Sequence, residues 1–197
     1  MGVQARLFDP PALVPDGFVY RPEFITVEEE RELLEGIGAL SFSAVEMHGG
    51  IARRRVVHFG WSYGFDTRST TAAEQVPPFL LPLRERVGAW AERAPADFAQ
   101  ALVIEYPPGA PIGWHRDAPM FGDVAGVSLL TASTMKFRPY VSPSERNAAG
   151  RRRSTHEIEL AARSAYLITG SARRDYEHHI PPVRALRYSV TFRTVRG

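Results

Sequence analysis

The second half of the sequence is a series of short apolar segments separated by glycine, proline and polar residues, and this spacing constrains the fold most. The segments cover residues 101–106, 124–131, 135–140, 156–160, 164–168, 176–180 and 188–195. Strands this short, bounded by turn-forming residues, indicate an antiparallel sandwich or barrel. No stretch of the sequence approaches the length of a membrane-spanning helix.

The first half of the sequence predicts two helices after a proline-rich extended arm over residues 1–20. Thr26 and Glu29 match a capping box, which predicts a helix through about residue 37. A second helix is expected over residues 80–91 because apolar residues recur there at helical spacing. These residues are expected to face the core: Leu83, Val87 and Trp90.

The segment IEYPPGAPIGWHRD, residues 104–117, contains a histidine and an aspartate two positions apart, His115 and Asp117. On a strand, residues i and i+2 point to the same face and can bind one ion together. Such a pair also arises by chance, and a lone histidine is more often structural. The best candidate for a third ligand is His178, and two histidines with one carboxylate are typical of non-haem Fe(II) oxygenases.

The segment RALRYSVTFRTVR, residues 184–196, predicts a strand with polar side chains on one face. These side chains are Arg187, Ser189, Thr191 and Arg193. Arginine binds carboxylates through two parallel hydrogen bonds, so arginines beside a metal suggest an acidic co-substrate. A dicarboxylic 2-oxo acid fits, because one end can chelate iron while the other needs a cation.

Together these motifs resemble the AlkB family of Fe(II)/2-oxoglutarate dioxygenases. The matching elements are Tyr106-x-x-Gly109, Ile112-Gly-Trp-His115-x-Asp117, His178-x-Ile180-Pro181 and Arg187-x-Ser189-x-Thr191-Phe192-Arg193. They occur in the family's order and span residues 100–197. The combined pattern is far more specific than any one of its parts.

The resemblance implies an α+β, mainly β fold, a double-stranded β-helix or jelly roll with buttressing N-terminal helices and a substrate lid. Residues 1–197 are expected to form a single domain. Within it, residues 1–95 would supply the helices and the lid, and residues 96–197 the dioxygenase core.

The resemblance also implies the site and its chemistry. Fe(II) would be held by His115, Asp117 and His178, with His179 exposed or behind the ligands. Four residues would hold 2-oxoglutarate: Tyr106, Arg187, Ser189 and Arg193. Of these, Arg187 would pair with the C5 carboxylate, and Arg193 would lie near the C1 carboxylate. With O2, the reaction would hydroxylate an N-alkyl group, and an N-methyl group would leave as formaldehyde.

The segment RRRVVHFGWSYGFD, residues 53–66, alternates apolar and small or polar residues, as in a strand with one aromatic face. Aromatic residues beside a basic run suit stacking on a base while arginines hold phosphates. The resemblance places a substrate lid here, with Arg54, Trp61 and Tyr63 as substrate-binding candidates. The alternative is that the aromatic face packs into the core.

Composition limits the other chemistry that this chain can carry. Cysteine is absent, so disulfides, thiolate zinc sites and iron–sulfur clusters are excluded. Net charge is +2, and Lys136 is the single lysine. Arginines cluster at 53–55, 151–153 and 173–174, which indicates either an arginine-favouring genome or a phosphate-binding surface. The other histidines, except His179, have no partner at ligand spacing and are expected to be structural: His48, His58 and His156.

Two departures from the family pattern concern the substrate. Ile104 stands where many members carry an asparagine that helps to hold the co-substrate. Pro119 stands where base-dealkylating members carry an acidic residue, and proline offers no side-chain acceptor and no backbone N–H.

The expected function is dealkylation of nucleobases by a cytoplasmic monomer, with no membrane partner, acting on single-stranded or flipped-out nucleic acid. The alternatives are the same chemistry on a modified tRNA base, a protein or a small molecule. A non-catalytic nucleic-acid-binding module is a further alternative.

Overall fold

The computed structural model describes residues 14–47, 50–64, 69–72, 74–142 and 155–196. Within these residues, short strands alternate with turns, and three α-helices cover part of the surface. The strands are β1 (Phe18–Arg21), β2 (Ser43–Met47), β3 (Gly50–Phe59), β4 (Trp61–Gly64), β5 (Ser69–Ala72), β6 (Gln100–Tyr106), β7 (Ile112–His115), β8 (Phe121–Leu129), β9 (Ser133–Pro139), β10 (His156–Leu160), β11 (Ala165–Ile168), β12 (Tyr176–Ile180) and β13 (Arg187–Val195). The helices are α1 (Val27–Gly38), α2 (Leu81–Trp90) and α3 (Gly170–Arg174).

Two antiparallel sheets form the body of the molecule. The larger has seven strands in the order β1-β11-β8-β13-β6-β3-β2, and the smaller has four in the order β10-β9-β12-β7. Side chains from the inner faces of both sheets meet in one buried cluster, which includes Val56, Ile104, Phe137 and Ile180. The predicted jelly roll is therefore confirmed, and its interior lies between the two sheets.

The outer face of the larger sheet is covered by α1 and α2. Leu33 and Ile37 of α1 and Val87 of α2 are buried against Val103 and Phe192 of that sheet. The capping box of α1 is present, because Thr26 Oγ1 accepts a hydrogen bond from Glu29 N at 3.1 Å and Glu29 Oε2 accepts one from Thr26 N at 2.8 Å. These helices occupy the buttressing position that the sequence predicts.

The segment 53–66 differs from the prediction of one strand with a single aromatic face. The strand ends at Phe59, the chain turns at Gly60 with φ of +77°, and Trp61 begins the β4–β5 hairpin. Phe59 and Val57 pack on the helix side, so core packing is the correct alternative for these two residues. The opposite face of β3 points into the interior instead, with Arg54, Val56 and His58.

Some predictions fall outside the described residues. These are the arm over residues 1–13, His48, Phe65 and most of the loop over residues 142–154. Within the described part of the chain, no helix combines the length and apolar character needed to cross a membrane.

Candidate active site

Two neighbouring strands of the smaller sheet bring His115 and His178 together. β7 and β12 pair in antiparallel register, and these two histidines are direct partners across the pair. Their ring centroids lie 4.3 Å apart. The two histidines are 63 positions apart in the sequence (178 − 115), and the pairing of β12 with β7 brings them to one site.

Asp117 lies just beyond the end of β7 and completes a group of three. Its Oδ1 accepts a hydrogen bond from Arg193 Nε at 2.8 Å, and its Oδ2 lies 3.7 Å from His178 Nε2. Asp117 is buried, and Oδ2 has no hydrogen-bond partner among the described residues. A buried carboxylate oxygen without a partner is costly unless a cation binds it, so the donor set fits a divalent metal ion.

The protonation states of these residues also suit metal binding. His115 Nδ1 lies 2.9 Å from the carbonyl oxygen of Gly113, which favours a proton on Nδ1. The Nε2 atom then keeps its lone pair and can bind a metal ion. Burial, aided by neighbouring His115, lowers the pKa of His178 to about 3, so its ring is neutral. Burial raises the pKa of Asp117, but neighbouring charges, above all that of Arg193, outweigh this effect and hold that pKa below its ordinary value.

The three side chains converge without forming a finished coordination sphere. Among the described residues, no group of three His, Asp or Glu side chains is already positioned so that all three could bind one metal ion. The separation between Asp117 Oδ2 and His178 Nε2 is consistent with ligands that close slightly around an ion.

Arg187 is the deepest cation of the site. It begins β13 opposite Tyr106 of β6, and it is 0% exposed. One of its N–H groups donates to Ser128 Oγ at 2.7 Å, but Nε and the other terminal nitrogen have no partner among the described residues. A buried guanidinium with two unpaired nitrogens fits a carboxylate, which accepts two parallel hydrogen bonds.

The surroundings of Arg187 match the residues expected to act with it. Its guanidinium carbon lies 4.8 Å from the centre of the Tyr106 ring. Ser189 is buried two positions further along the same face of β13. Tyr166 lies on β11, which β8 separates from β13 in the same sheet, and burial raises the pKa of its hydroxyl to about 12, with Tyr106 contributing. The phenol of Tyr166 is therefore a neutral hydrogen-bonding group at physiological pH.

Beside the three converging side chains lies a cavity of about 320 Å³. Its described wall is largely apolar, with Val56, Leu102, Ile104, Ile112 and Phe121. The polar residues on this wall are Arg54, His58, Gln100, His115, Asp117 and Arg193. An apolar pocket with a few convergent polar groups is typical of a site for a small molecule or a single extruded base.

Two polar residues of the wall were not predicted as site residues. The side chain of Gln100 accepts from Arg193 at 2.8 Å and donates to the carbonyl of Trp61 at 2.6 Å, so it fixes the arginine that holds Asp117. His58 was expected to be structural, yet it faces the cavity with Nδ1 buried and unpaired among the described residues. Gln100 lies on the same face of β6 as Ile104 and Tyr106 because residues at even spacing along a strand share a face. That spacing would have identified Gln100 as a residue of the site.

The other predicted residues lie in different places. Arg54 is on the cavity wall, whereas Trp61 is 41% exposed at the start of β4 and does not line the cavity. The backbone of Tyr63 lies in β4, and its side chain is outside what the structure describes. His179 is directed elsewhere than His115 and His178, with its Nδ1 2.5 Å from the carbonyl oxygen of Ile112 and its ring 5.0 Å from that of Trp114.

Comparison with known proteins gives three findings. A family model described as the 2OG-Fe(II) oxygenase superfamily matches residues 17–193. The alkylated DNA repair protein ALKBH8 homolog of Arabidopsis thaliana is 30% identical over 195 residues, covering 91% of this chain and 54% of that protein. This chain therefore spans about half the length of that relative. The structure of OsALKBH1 superposes with a TM-score of 0.61 at 16% identity, covering 92% of this chain and 98% of the other, which shows similarity of fold.

Proposed function

Because this chain belongs to the 2OG-Fe(II) oxygenase superfamily, we propose that it is an AlkB-like dioxygenase that removes alkyl groups from N-alkylated nucleobases in DNA or RNA. The similar Arabidopsis protein is named as an alkylated DNA repair protein. The observation that carries the proposal is the unpaired Asp117 Oδ2 beside His178, together with the unpaired nitrogens of buried Arg187.

In this proposal each residue has a defined task. Fe(II) and 2-oxoglutarate, when bound, supply the activation of O2 that hydroxylates a substrate C–H bond. His115, Asp117 and His178 hold the metal, with small adjustments of their side chains. Arg187 pairs with the C5 carboxylate of 2-oxoglutarate, assisted by Ser189 and the Tyr106 hydroxyl.

Arg193 has a positioning task that its contacts support. It donates to Asp117 Oδ1 and to Gln100, so it orients the carboxylate and keeps Oδ2 directed at the metal. Its charge also lies on the cavity wall, where the C1 carboxylate is expected. The apolar remainder of the wall excludes water from the substrate carbon.

Substrate binding is assigned to Arg54, Trp61 and Tyr63. Arg54 is the best supported of these because it lines the cavity. Trp61 lies outside the cavity and would contact a nucleic-acid strand at the protein surface. The predicted single domain over residues 1–197, the division near residue 95, the monomeric state and the cytoplasmic location stay predictions.

A second candidate is the same chemistry on a neutral substrate, such as a modified tRNA base, a protein or a small molecule. Asp117 is the one carboxylate on the described cavity wall; Arg193 donates to its Oδ1, and the metal would take its Oδ2. Pro119 adds no acceptor. A cationic alkylated base would therefore find no acidic residue in this part of the structure, which favours a neutral substrate. A binding module without turnover is the weakest candidate, because it gives the metal-binding set no task.

The test is one aerobic reaction with Fe(II), 2-oxoglutarate and a panel of methylated DNA and RNA oligonucleotides. Succinate and oligonucleotide mass are followed together. We expect loss of methyl groups coupled to succinate, absent in His115→Ala and unchanged in the surface control Arg31→Ala. Succinate without a mass change would overturn nucleobase dealkylation and support the second candidate.

A further inference from the structure

A second, more open groove of about 470 Å³ adjoins the cavity, and the two share Asp117 and Ala118. The remaining residues of its described lining are Arg116, Pro119, Arg173, Arg174 and Arg196. The arginines come from the loop after β7, from α3 and from the segment after β13. The fold thus concentrates positive charge at the edge of the candidate active site.

Arg173 forms the floor of this groove and is used structurally. It is buried, and its guanidinium donates to the carbonyl oxygens of Ala118, Phe121 and Gly122 at 2.8 to 2.9 Å. These bonds fix the loop that carries Pro119. Burial lowers the pKa of Arg173; the charge of Asp117 opposes this, whereas the nearby charges of Arg196, Arg193 and Arg116 lower the pKa further.

The other three arginines are exposed around this floor. Arg116 stacks on Tyr140 with 3.5 Å between its guanidinium carbon and the ring centre, and donates to the carbonyl of Arg174 at 3.0 Å. Arg196 anchors its backbone N–H on the carbonyl of Met120 at 2.8 Å. In the described part of the chain, no carboxylate forms an ion pair with Arg116, Arg174 or Arg196, although exposed Asp175 follows Arg174.

Grouped arginines without acidic partners repel one another unless an anion binds between them. The guanidinium fork matches a phosphate, and the stacked Arg116 is already held in place, so less side-chain entropy is lost on binding. Pro119, at the junction of groove and cavity, adds no negative charge that would repel a phosphate. Because the two share Asp117 and Ala118, the groove lies directly beside the cavity that would receive a base.

We propose that Arg116, Arg174 and Arg196 bind backbone phosphates of a single-stranded nucleic acid beside the nucleotide whose base enters the cavity. This inference rests on the proposed function, since it requires a nucleic-acid substrate. It locates the strand on the α3 side of the metal site and assigns the positive charge of that side to phosphate binding rather than to contacts with the base.

The test measures binding of fluorescein-labelled single-stranded DNA and RNA by the full chain, using fluorescence anisotropy without added metal over a series of salt concentrations. We expect Arg174→Ala/Arg196→Ala to bind roughly tenfold more weakly at low salt, with the slope of log K against log salt reduced by about 1.4, or about 0.7 per lost phosphate contact. The matched control Arg31→Ala/Arg184→Ala removes the same charge from exposed residues on α1 and beyond the far end of β12, and should bind like the parent protein.

The outcomes separate this inference from the proposed function. If Arg174→Ala/Arg196→Ala and the parent protein show equal affinity and an equal salt slope, the assignment of phosphate binding to the groove is wrong, even if the parent protein removes methyl groups. Failure of the parent protein to bind either polymer would overturn it as well. A groove-dependent loss of binding without removal of methyl groups from any base would support the groove and reject base dealkylation. The DNA and RNA arms identify the polymer, and the thermal unfolding midpoint confirms that each variant is folded.

Discussion

Single residues of this protein carry unusual electrostatic costs, and Arg187 is the clearest case. A buried charge normally has a full set of partners, because each unpaired polar group loses the hydrogen bonds that water would provide. Arg187 has one described hydrogen bond, to Ser128, and two nitrogens without partners. Such a residue reduces the stability of the unliganded fold and increases the affinity for an anion.

Arg187→Met should therefore have opposite effects on stability and on ligand binding. Without ligand, we expect the free energy of unfolding to rise by about 1 to 3 kcal/mol, since unpaired buried polar groups are removed. With Mn(II) present in every sample, 2-oxoglutarate at about 100 times its Kd should stabilise the parent protein by about a further 2.7 kcal/mol and the variant by nothing measurable. Urea denaturation with and without ligand measures both. A variant that is destabilised, or still stabilised by 2-oxoglutarate, would contradict this reading.

The proposed metal ligands give a second prediction at this scale. Asp117→Asn keeps the shape of the side chain but removes the negative charge that Arg193 contacts and that would also bind a divalent cation. We expect Mn(II) affinity, measured by calorimetry, to fall by more than tenfold, because the hard anionic ligand is lost. Asp175→Asn, an exposed change on the same side, serves as the control. Equal Mn(II) affinity in the Asp117 variant would remove this residue from the ligand set.

Whole elements depend on a few residues at their ends, and α1 shows how. Its N-terminus combines the capping box with an ion pair between Glu29 and Arg86 of α2, and Arg86 also donates to the carbonyl of Phe24 at 3.1 Å. One carboxylate therefore caps a helix and joins two helices. The contacts with Arg86 and then with the Thr26 backbone lower the pKa of Glu29 below its ordinary value.

This lowered pKa predicts how stability depends on pH. When the folded pKa of a carboxyl lies below the unfolded one, its contribution is complete above the unfolded pKa and is lost as pH falls through the folded pKa. Glu29→Gln should lower stability near neutral pH and flatten the decline on the acid side of about pH 4.3. Denaturation curves at several pH values test this, with Glu32→Gln, exposed on the same helix, as the control. Parallel pH profiles for all three proteins would refute it.

The turn between β3 and β4 depends on Gly60. Its φ is +77°, and a Cβ there would lie 2.0 Å from the backbone oxygen of Ala99. We expect Gly60→Ala to cost about 2 to 4 kcal/mol of stability, from the left-handed conformation and the clash. Gly38→Ala, where a Cβ meets nothing within 4 Å, should be nearly neutral. Thermal unfolding distinguishes them, and a neutral Gly60→Ala would mean that the backbone relaxes freely.

Gly60 also explains which parts of the structure were accessible from the sequence. The capping box and the apolar spacing of α1 and α2 are local signals, and they predicted both helices. The alternation over residues 53–66 continues across Gly60, so periodicity alone could not reveal the turn. The tasks of Gln100 and His58 depend on which strands are neighbours and in which register, which local patterns do not encode. His115, Asp117 and His178 were linked by residue chemistry and family resemblance.

At the scale of the molecule, β13 connects most of the structure. It lies between β8 and β6 in the centre of the larger sheet, contributes Val190 and Phe192 to the core beneath the helices, and places Arg187 and Arg193 in the site. Few of its contacts are local in sequence. We therefore expect the sheet to depend on this strand for its stability.

A chain that ends at residue 186 should accordingly fail to fold, because two strands lose their central partner and a row of backbone hydrogen bonds is exposed. We expect loss of the cooperative unfolding transition and of protection from amide hydrogen exchange in β6 and β8. Adding a synthetic peptide of residues 187–196 should restore part of this protection. A cooperative transition in the shortened chain would show that the remaining strands are self-sufficient.

The position of β13 also limits when the chain can carry out oxidation. On the ribosome, β13 emerges after the twelve other described strands, so a growing chain has neither the arginine that would bind 2-oxoglutarate nor the one that orients Asp117. Iron bound by the histidines of such a chain would lack the arginine that holds 2-oxoglutarate in the site. Under the proposed assignment, oxidation that depends on 2-oxoglutarate held by Arg187 has to wait until β13 has been made.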